Sequence, residues 1–533
     1  MATPPPAVPR NATEAGTQPE LPPVPVRVAP FLAWSRSENK LYVERGHLGD
    51  PMLLTWIDRM RRGGVPMMPR PVEMDEIARL RSEGYAISET TNLTDLRNRE
   101  RALWLLRQSA RVRASDMHLL IRDGYAEIQV RIKGDLKVLR KRLTVAEGES
   151  VSRALFQSLA TVKDQSYNPM QCQNAQISGE VLSGMGLTSV RLVRGPAYPS
   201  EKGGGFVVAR LQYTQVNRGA QPEGKVERLE SPRVPEGNIM LAQMGYTPWQ
   251  VETLTTLACA PSGIVLFTGP TGSGKTTALA EMLKHLARTR PESRQVTIED
   301  PVEYPLEWAV QMAVTNARTE DETGDAFADH LRTALRMDPD IILLGEIRGA
   351  GSAVAALNAS ITGHQVWSTL HVTDPYLAVD RLELMDPVNL NRKVFCDHTI
   401  LRGIVAQRLV PKLCPQCRIP LSGNERRVGE RLVRAVATHG DLARVHLRGA
   451  GCDLCQGDGI DGRMAVAEVV ATSPALMKDL VDLGTEAARN RHRARPNTDK
   501  SLLGNALAHV FQGRVDPRDV ERVVDVIGPK EGP

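Results

Sequence analysis

The rhythm of apolar residues changes along this chain. Between residues 96 and 213, "LRNRERALWLLRQSARVRA" has the three-to-four-residue spacing of a helix, and "DMHLLIRDGYAEIQVRIKGDLKVLRK" alternates about Asp123 and Gly124 as a β-hairpin does. "TSVRLVRG" and "GGFVVARLQ" continue the strand text, so 96–213 is expected to form an α+β domain. After residue 237 the strands become short, unbroken apolar runs, "GIVLFTG", "DIILLGE" and "QVWSTLH", separated by helical text. Runs without alternation suit strands buried on both faces, hence a parallel sheet covered by helices. The overall class is therefore α/β. Between the two patterns, residues 214–236 are polar and broken by Gly and Pro and read as a linker. Two amphipathic stretches, "MLLTWIDRMRR" and "VEMDEIARLRSEGY", predict a small helical module over 31–95. Residues 1–30 carry nine prolines and predict a disordered tail.

Composition narrows the classes. The chain has 533 residues and a formal net charge of +5, with Lys and Arg interleaved among Asp and Glu. A nucleic-acid binder usually concentrates its basic charge; only "RNRHRARP", residues 489–496, approaches that, and a solvated loop is its plainer reading. No stretch reaches the ~18 uninterrupted apolar residues that cross a bilayer, and the first residues lack a secretory pattern, so a cytoplasmic location is expected. Of seven cysteines, Cys172, Cys259 and Cys396 are scattered and four form two close pairs.

"GPTGSGKT", Gly269, Pro270, Thr271, Gly272, Ser273, Gly274, Lys275 and Thr276, matches GxxxxGK[ST] in full, between an apolar run and the amphipathic "TTALAEMLKHLA". Glycines let backbone N–H groups curl around phosphate oxygens, and a helix N-terminus adds partial positive charge. Lys275 is expected to neutralise β- and γ-phosphates and Thr276 to ligate Mg²⁺, with Thr277 next in the helix. Acidic partners are expected at neighbouring strand ends. Glu346 follows "DIILL", and Glu299, Asp300 and Glu303 follow "QVTI". Glu346 and Glu303 are the candidates for orienting an attacking water; either cluster alone could be a solvated turn.

Four motifs in this order resemble the secretion and pilus-assembly ATPase family: "GPTGSGKT" its Walker A, "TIEDPVEY" its Asp box, "LRMDPDIILLGEIR" its Walker B and "TGHQVWSTLH" its His box. "ASDMHLLIRDGYAEIQVRIKGDL" and "GCDLCQGDGIDGRMAVAEVV" resemble further blocks of that family. The resemblance implies a RecA-like P-loop core over 237–410, preceded by an α+β (PAS-like) domain and followed by a zinc-knuckle segment over 411–470 and a helical region over 471–533. It implies a homohexameric motor that hydrolyses ATP with Mg²⁺ and passes motion to an inner-membrane platform protein. Type IV pilus assembly is the leading expectation. Type II secretion, pilus retraction, a conjugation motor or nucleic-acid translocase, and a non-hydrolysing scaffold are the alternatives. The resemblance also implies that in the homohexamer Arg131, Arg191 and Arg210 of the α+β domain reach nucleotide, where a planar, permanently charged fork suits phosphoryl charge; pairing with surface acids is the bland alternative. Gly349 and Gly351 stand where the family usually has an acidic pair.

The pairs Cys414/Cys417 and Cys452/Cys455 are two CxxC turns separated by thirty-four residues. Four thiolates complete a tetrahedral Zn²⁺ shell with no open position, which implies a structural role; a redox pair or unligated thiols are the rivals. His364 and His371 stand seven apart about one strand, and an odd separation points side chains to opposite faces, so one shared metal is improbable. His371, at the carboxyl end, is the expected γ-phosphate sensor, and His364 is expected to be structural or at a subunit contact.

Overall fold

The computed structural model describes residue 24 and residues 28–35, 40–62, 67–82, 93–214, 229–314 and 320–530. The proline-rich tail expected over 1–30 lies almost wholly outside these residues, as do 215–228 of the expected linker. The chain divides into two units, Met1–Arg101 and Ala102–Pro533.

In the first unit, β1 (Leu32–Ser35) pairs antiparallel with β2 (Lys40–Glu44), helix α1 (Pro51–Arg62) follows, and β3 (Met68–Val72) pairs parallel with β2 before α2 (Met74–Leu80). Leu32, Leu41, Val43, Leu53, Trp56 and Ile57 form its core. The expected helical module is thus corrected to a small α/β unit. Its strands are four or five residues long, too short for alternation to stand out beside two amphipathic helices.

Helix α3 (Leu93–Arg111) leads into the second unit. There β4 (Asp116–Ile121), β5 (Ala126–Ile132) and β6 (Asp135–Leu143) form a meander, α4 (Val145–Arg153) follows, and β7 (Val162–Lys163), β8 (Gln173–Ser178), β9 (Leu187–Pro196) and β10 (Gly205–Tyr213) complete a seven-stranded antiparallel sheet. The turn expected at Asp123 and Gly124 joins β4 to β5, closed by Arg122 N–H donating to the Tyr125 carbonyl at 2.8 Å.

After the short α5 (Leu241–Met244), helix α6 (Pro248–Ala258) begins with a capping box of Thr247 and Gln250. The nucleotide-type sheet is then built by β11 (Gly263–Thr268), α7 (Lys275–Thr289), β12 (Gln295–Glu299), β13 (Val310–Ala313), α8 (Glu320–Ala334), β14 (Ile341–Leu344), α9 (Ala350–Ile361), β15 (Gln365–Leu370), α10 (Leu377–Met385), α11 (Arg392–Phe395) and β16 (Leu401–Leu413). Parity along the strands explains the unbroken apolar runs. Ile264, Leu266, Ile342, Leu344 and Val366 pack on one face, and Val265, Phe267, Ile341, Leu343 and Trp367 on the other. The first core is continuous with Leu120, Val193, Phe206 and Val208 of the antiparallel sheet.

Beyond β16 come β17 (Ile419–Pro420), α12 (Glu430–Ala437), β18 (His446–Leu447) and β19 (Ile460–Ala471), then α13 (Pro474–Asp482), α14 (Thr485–Arg493), α15 (Leu502–Val510) and α16 (Pro517–Val523). The sheet order is β13-β12-β14-β15-β11-β16-β19, parallel throughout except that β19 runs antiparallel to β16. The sheet is therefore mixed. It also crosses the domain edges expected at residues 410 and 470, because the cysteine segment is an excursion between two strands of one sheet. No helix of the described residues is long and apolar enough to cross a membrane.

Candidate active site

The carboxyl ends of β11, β12, β14 and β15 gather the predicted site. The loop from Gly269 to Gly274 leaves β11 and enters α7 at Lys275. Unlike α6, α7 has no side-chain cap, and its first turn carries no acid, so its first N–H groups and positive dipole end face the loop. Two glycines are needed sterically. A Cβ on Gly269 (φ +144°) would stand 2.5 Å from the Gln407 carbonyl oxygen, and one on Gly274 (φ +82°) 2.9 Å from Gln407 Nε2. The Lys275 ammonium donates to the carbonyls of Gly269 and Pro270 at 2.9 and 3.0 Å, folded over the loop. Burial lowers its pKa, while the charges of Glu346 and Glu303 work the other way. Ser273 Oγ is buried in the loop without a hydrogen-bond partner among the described residues. A cationic Lys275, an uncapped helix end and an orphaned hydroxyl around one glycine-lined turn fit a phosphate chain.

Glu346, just past β14, is held at both oxygens. Arg348 Nε donates to Oε2 at 2.9 Å, and His371 Nε2 stands 3.1 Å from Oε1. His371 is exposed at the carboxyl end of β15, whereas His364 lies at the amino end, its Nδ1 3.0 Å from the Ala359 carbonyl. The two histidines are thus separated by the length of the strand. Thr369 and Ser368 hydroxyls donate to the Gly345 and Leu344 carbonyls at 2.7 and 2.6 Å, which locks β15 against the Glu346 turn. From the β12 end, the hydroxyls of Tyr304 and Thr277 meet at 3.0 Å, and Glu303 is exposed. Glu299 is buried instead: its Oε1 accepts from Thr297 and Gln311 at 2.5 and 2.9 Å, and burial raises its pKa. That oxygen is committed to the sheet.

Arg210 and Arg191, expected at the nucleotide, lie elsewhere in this chain. They are cross-strand neighbours on β10 and β9, in register with Asp116 and Arg131 on β4 and β5. Arg210 donates to Asp116 at 2.8 Å and to Asp338 at 3.3 Å; Arg131 pairs with Asp338 and, at 2.8 Å, with Asp340. Asp338 and Asp340 precede β14, so this cluster sits at the amino end of the sheet, opposite the P-loop. Within one chain Arg131 and Arg210 are not brought to the phosphate site, because two aspartates there offer closer partners. Arg191 is exposed on the same strand row.

Sequence reading missed several groups that shape the site. Arg348 could have been found two residues after Glu346. Gln407 could not: Tyr246 donates to its Oε1, and its Nε2 donates to the Ser273 carbonyl at 2.7 Å, a buried strut between distant segments. Arg408 stands beside it.

The four paired cysteines converge. Cys414 Sγ lies 3.7 Å from Cys452 Sγ, and Cys455 Sγ lies 3.8 Å from both Cys417 and Cys452. All four ligand atoms fall within 4.8 Å of one another. A tetrahedron of thiolates at Zn–S about 2.3 Å has edges of about 3.8 Å, so the donor set fits a tetrahedral metal. Backbone N–H groups of Cys452 and Gly459 donate to Cys455 Sγ at 3.2 and 3.1 Å and help hold its pKa down at about 6, against the effect of burial.

A P-loop before an uncapped helix, with a carboxylate past another buried strand of the same sheet, defines an α/β protein built to handle nucleotide phosphates. A family model described as Type II/IV secretion system protein matches residues 230–522, and the chain belongs to that family. A type II secretion system protein E candidate of Escherichia coli (strain K12) is 38% identical over 287 residues, covering 54% of each chain. The type IV pilus assembly ATPase PilB of Thermus thermophilus is 29% identical over 405 residues, 75% of this chain and 40% of that one. The type II secretion system protein HxcR of Pseudomonas aeruginosa is 28% identical over 525 residues, 92% of this chain and 98% of that one. The chain thus spans about half or less of the length of the first two relatives.

Proposed function

We propose that this protein is a ring-forming ATPase that powers type IV pilus assembly at the inner membrane through a platform protein. The observation that carries this reading is the convergence of Lys275, Glu346, Arg348 and His371 at one end of the sheet. Lys275 and the N–H groups of the loop bind the phosphate chain of ATP. Mg²⁺, held through Thr276, would supply neutralisation of phosphate charge. Glu346, steadied by Arg348, orients the attacking water, with Glu303 the second candidate. His371, sharing Glu346, reports whether a γ-phosphate is present. Zinc is the metal proposed for Cys414, Cys417, Cys452 and Cys455, where it would tie the tips of β16 and β19 without taking part in the chemistry.

The nucleic-acid alternative loses its best candidate contact. Arginines of the stretch 489–496 are engaged by acids of this chain: Arg489 with Asp374, Arg491 and Arg495 with Asp479, and Arg493 with Glu468. Type II secretion remains a second reading, favoured by the near-complete alignment with the Pseudomonas aeruginosa relative.

The test is MgATP hydrolysis by the purified full chain, which Lys275→Ala is expected to abolish. A deletion strain then separates the readings, since loss of surface pili supports the first and loss of an exported protein with pili intact supports the second. Undiminished hydrolysis by Lys275→Ala would refute both.

A further inference from the structure

Arg408, in β16, is a buried cation, 6% exposed, with no carboxylate partner among the described residues. Its Nη1 donates to the Gln407 carbonyl at 3.0 Å and its Nη2 to the Thr373 carbonyl at 2.9 Å, two residues beyond His371. A Cβ built on Gly269 would stand 3.1 Å from Nη1, so the guanidinium lies against the first residue of the P-loop. Its field is felt at the Lys275 ammonium, where it opposes protonation. Two buried cations thus stand together at the loop. The groups facing Lys275 in return are Glu346 and Glu303, and neither pairs with Arg408. Arg194 and Arg294 are also buried and bonded only to neutral oxygens, but they lie away from the loop, on β9 and just before β12.

A guanidinium taken out of water without a counter-ion is costly, and carbonyl dipoles offset only part of that cost. Where such a group adjoins a loop that cradles phosphate, a polyphosphate is the chemistry that would neutralise it. We propose that Arg408 is a positioning residue of the phosphate site. It bridges the entry of the P-loop to the loop that follows His371, and its charge is balanced when a nucleoside polyphosphate binds. The sequence holds it far from the motif, in "AQRLV", where it reads as one more strand residue. The inference rests on the ATP reading above.

The test compares the unsubstituted full chain with Arg408→Gln and Arg408→Lys, by thermal denaturation with and without MgADP, by the Kd for MgADP and by kcat and KM for MgATP. Arg408→Gln keeps a donor but removes the charge. It is expected to melt at or above the temperature of the unsubstituted chain without nucleotide, and to lose about ten- to hundredfold in MgADP affinity, the scale of a charge-assisted contact. Arg408→Lys restores the charge without the fork and is expected to recover part of that affinity. A purely structural residue would do the reverse: both variants would melt earlier and bind MgADP unchanged. That result overturns the proposal. If Arg408→Gln does not fold, Arg408→Lys decides, since it cannot span both carbonyls and is expected to weaken MgADP by about threefold or more; unchanged affinity overturns the proposal. An unsubstituted chain that MgADP fails to stabilise overturns the ATP reading together with this inference, whereas equal stabilisation of the unsubstituted chain and Arg408→Gln overturns this inference alone.

Discussion

Replacing Arg493 by Met is expected to destabilise the folded chain by about 3–5 kcal/mol at about pH 8 and by about 1–1.5 kcal/mol less at about pH 5. Glu468, on β19, is 1% exposed. Its Oε1 accepts from Arg493 Nε and Nη2 at 2.9 and 2.7 Å, and its Oε2 from Nη2 at 2.7 Å and from the Leu502 N–H at 2.9 Å. Burial outweighs these contacts and holds the carboxyl at about 7, against 4.5 for a free side chain. Such a displacement corresponds to about 3 kcal/mol favouring the protonated form in the fold. Because the folded-state pKa is the higher one, this contribution is complete below about pH 4.5 and is lost as pH rises through about 7. Met preserves the length of the stem and removes the one group that neutralises the carboxylate. Glu468 then titrates higher still, and above that pH it stands buried and charged beside Asp374. Urea denaturation of both proteins at about pH 5 and about pH 8 measures the difference. A loss of equal size at the two pH values, or one under about 1 kcal/mol at the higher, would show that the pair behaves as a solvated surface bridge and that the reasoning fails.

Three further outcomes are expected. Glu346→Gln should slow ATP turnover by about 10²–10⁴-fold, the range for removing a general base, while nucleotide binding persists; phosphate release near the unsubstituted rate would remove Glu346 from its role. His371→Ala should lose most hydrolysis and His364→Ala little, and the opposite ranking in a steady-state assay would reverse the assignment drawn from the two ends of β15. The purified chain should carry about one equivalent of zinc, which a strong chelator removes with a fall in the melting temperature. Elemental analysis finding none, or a melt indifferent to chelation, would leave the cysteines as unligated thiols.

The legibility of the site depended on how local its chemistry is. The P-loop was readable because its function is carried by consecutive backbone N–H groups and one lysine, and Glu346 because ligands of open α/β sheets gather at strand ends. The cysteine cluster was readable as far as its donor set, since each CxxC turn brings two thiolates together on its own. The antiparallel hairpin at Asp123 and Gly124 followed from alternation and a turn. The strands of the first unit were too short to announce themselves.

Tertiary structure decided what pairs with what. Arg131 and Arg210 carry the charge suited to a nucleotide, and within one chain Asp338 and Asp340, more than a hundred residues away, pair with them at the opposite end of the sheet from the P-loop. Glu299 sits in a motif that promises a ligand contact, yet Thr297 and Gln311 bind one of its oxygens within the core. The arginines of 489–496 look like a basic patch until the fold supplies their carboxylates. Arg408 is the reverse case: only the packing of β16 against Gly269 and Thr373 places an unneutralised cation beside the phosphate loop. Periodicity and motif are properties of neighbouring residues and survive in one dimension. Charge balance is summed over whatever the fold brings within a few ångströms, so the sequence alone determines the parts of this protein and the tertiary structure determines which of them are left to meet a ligand.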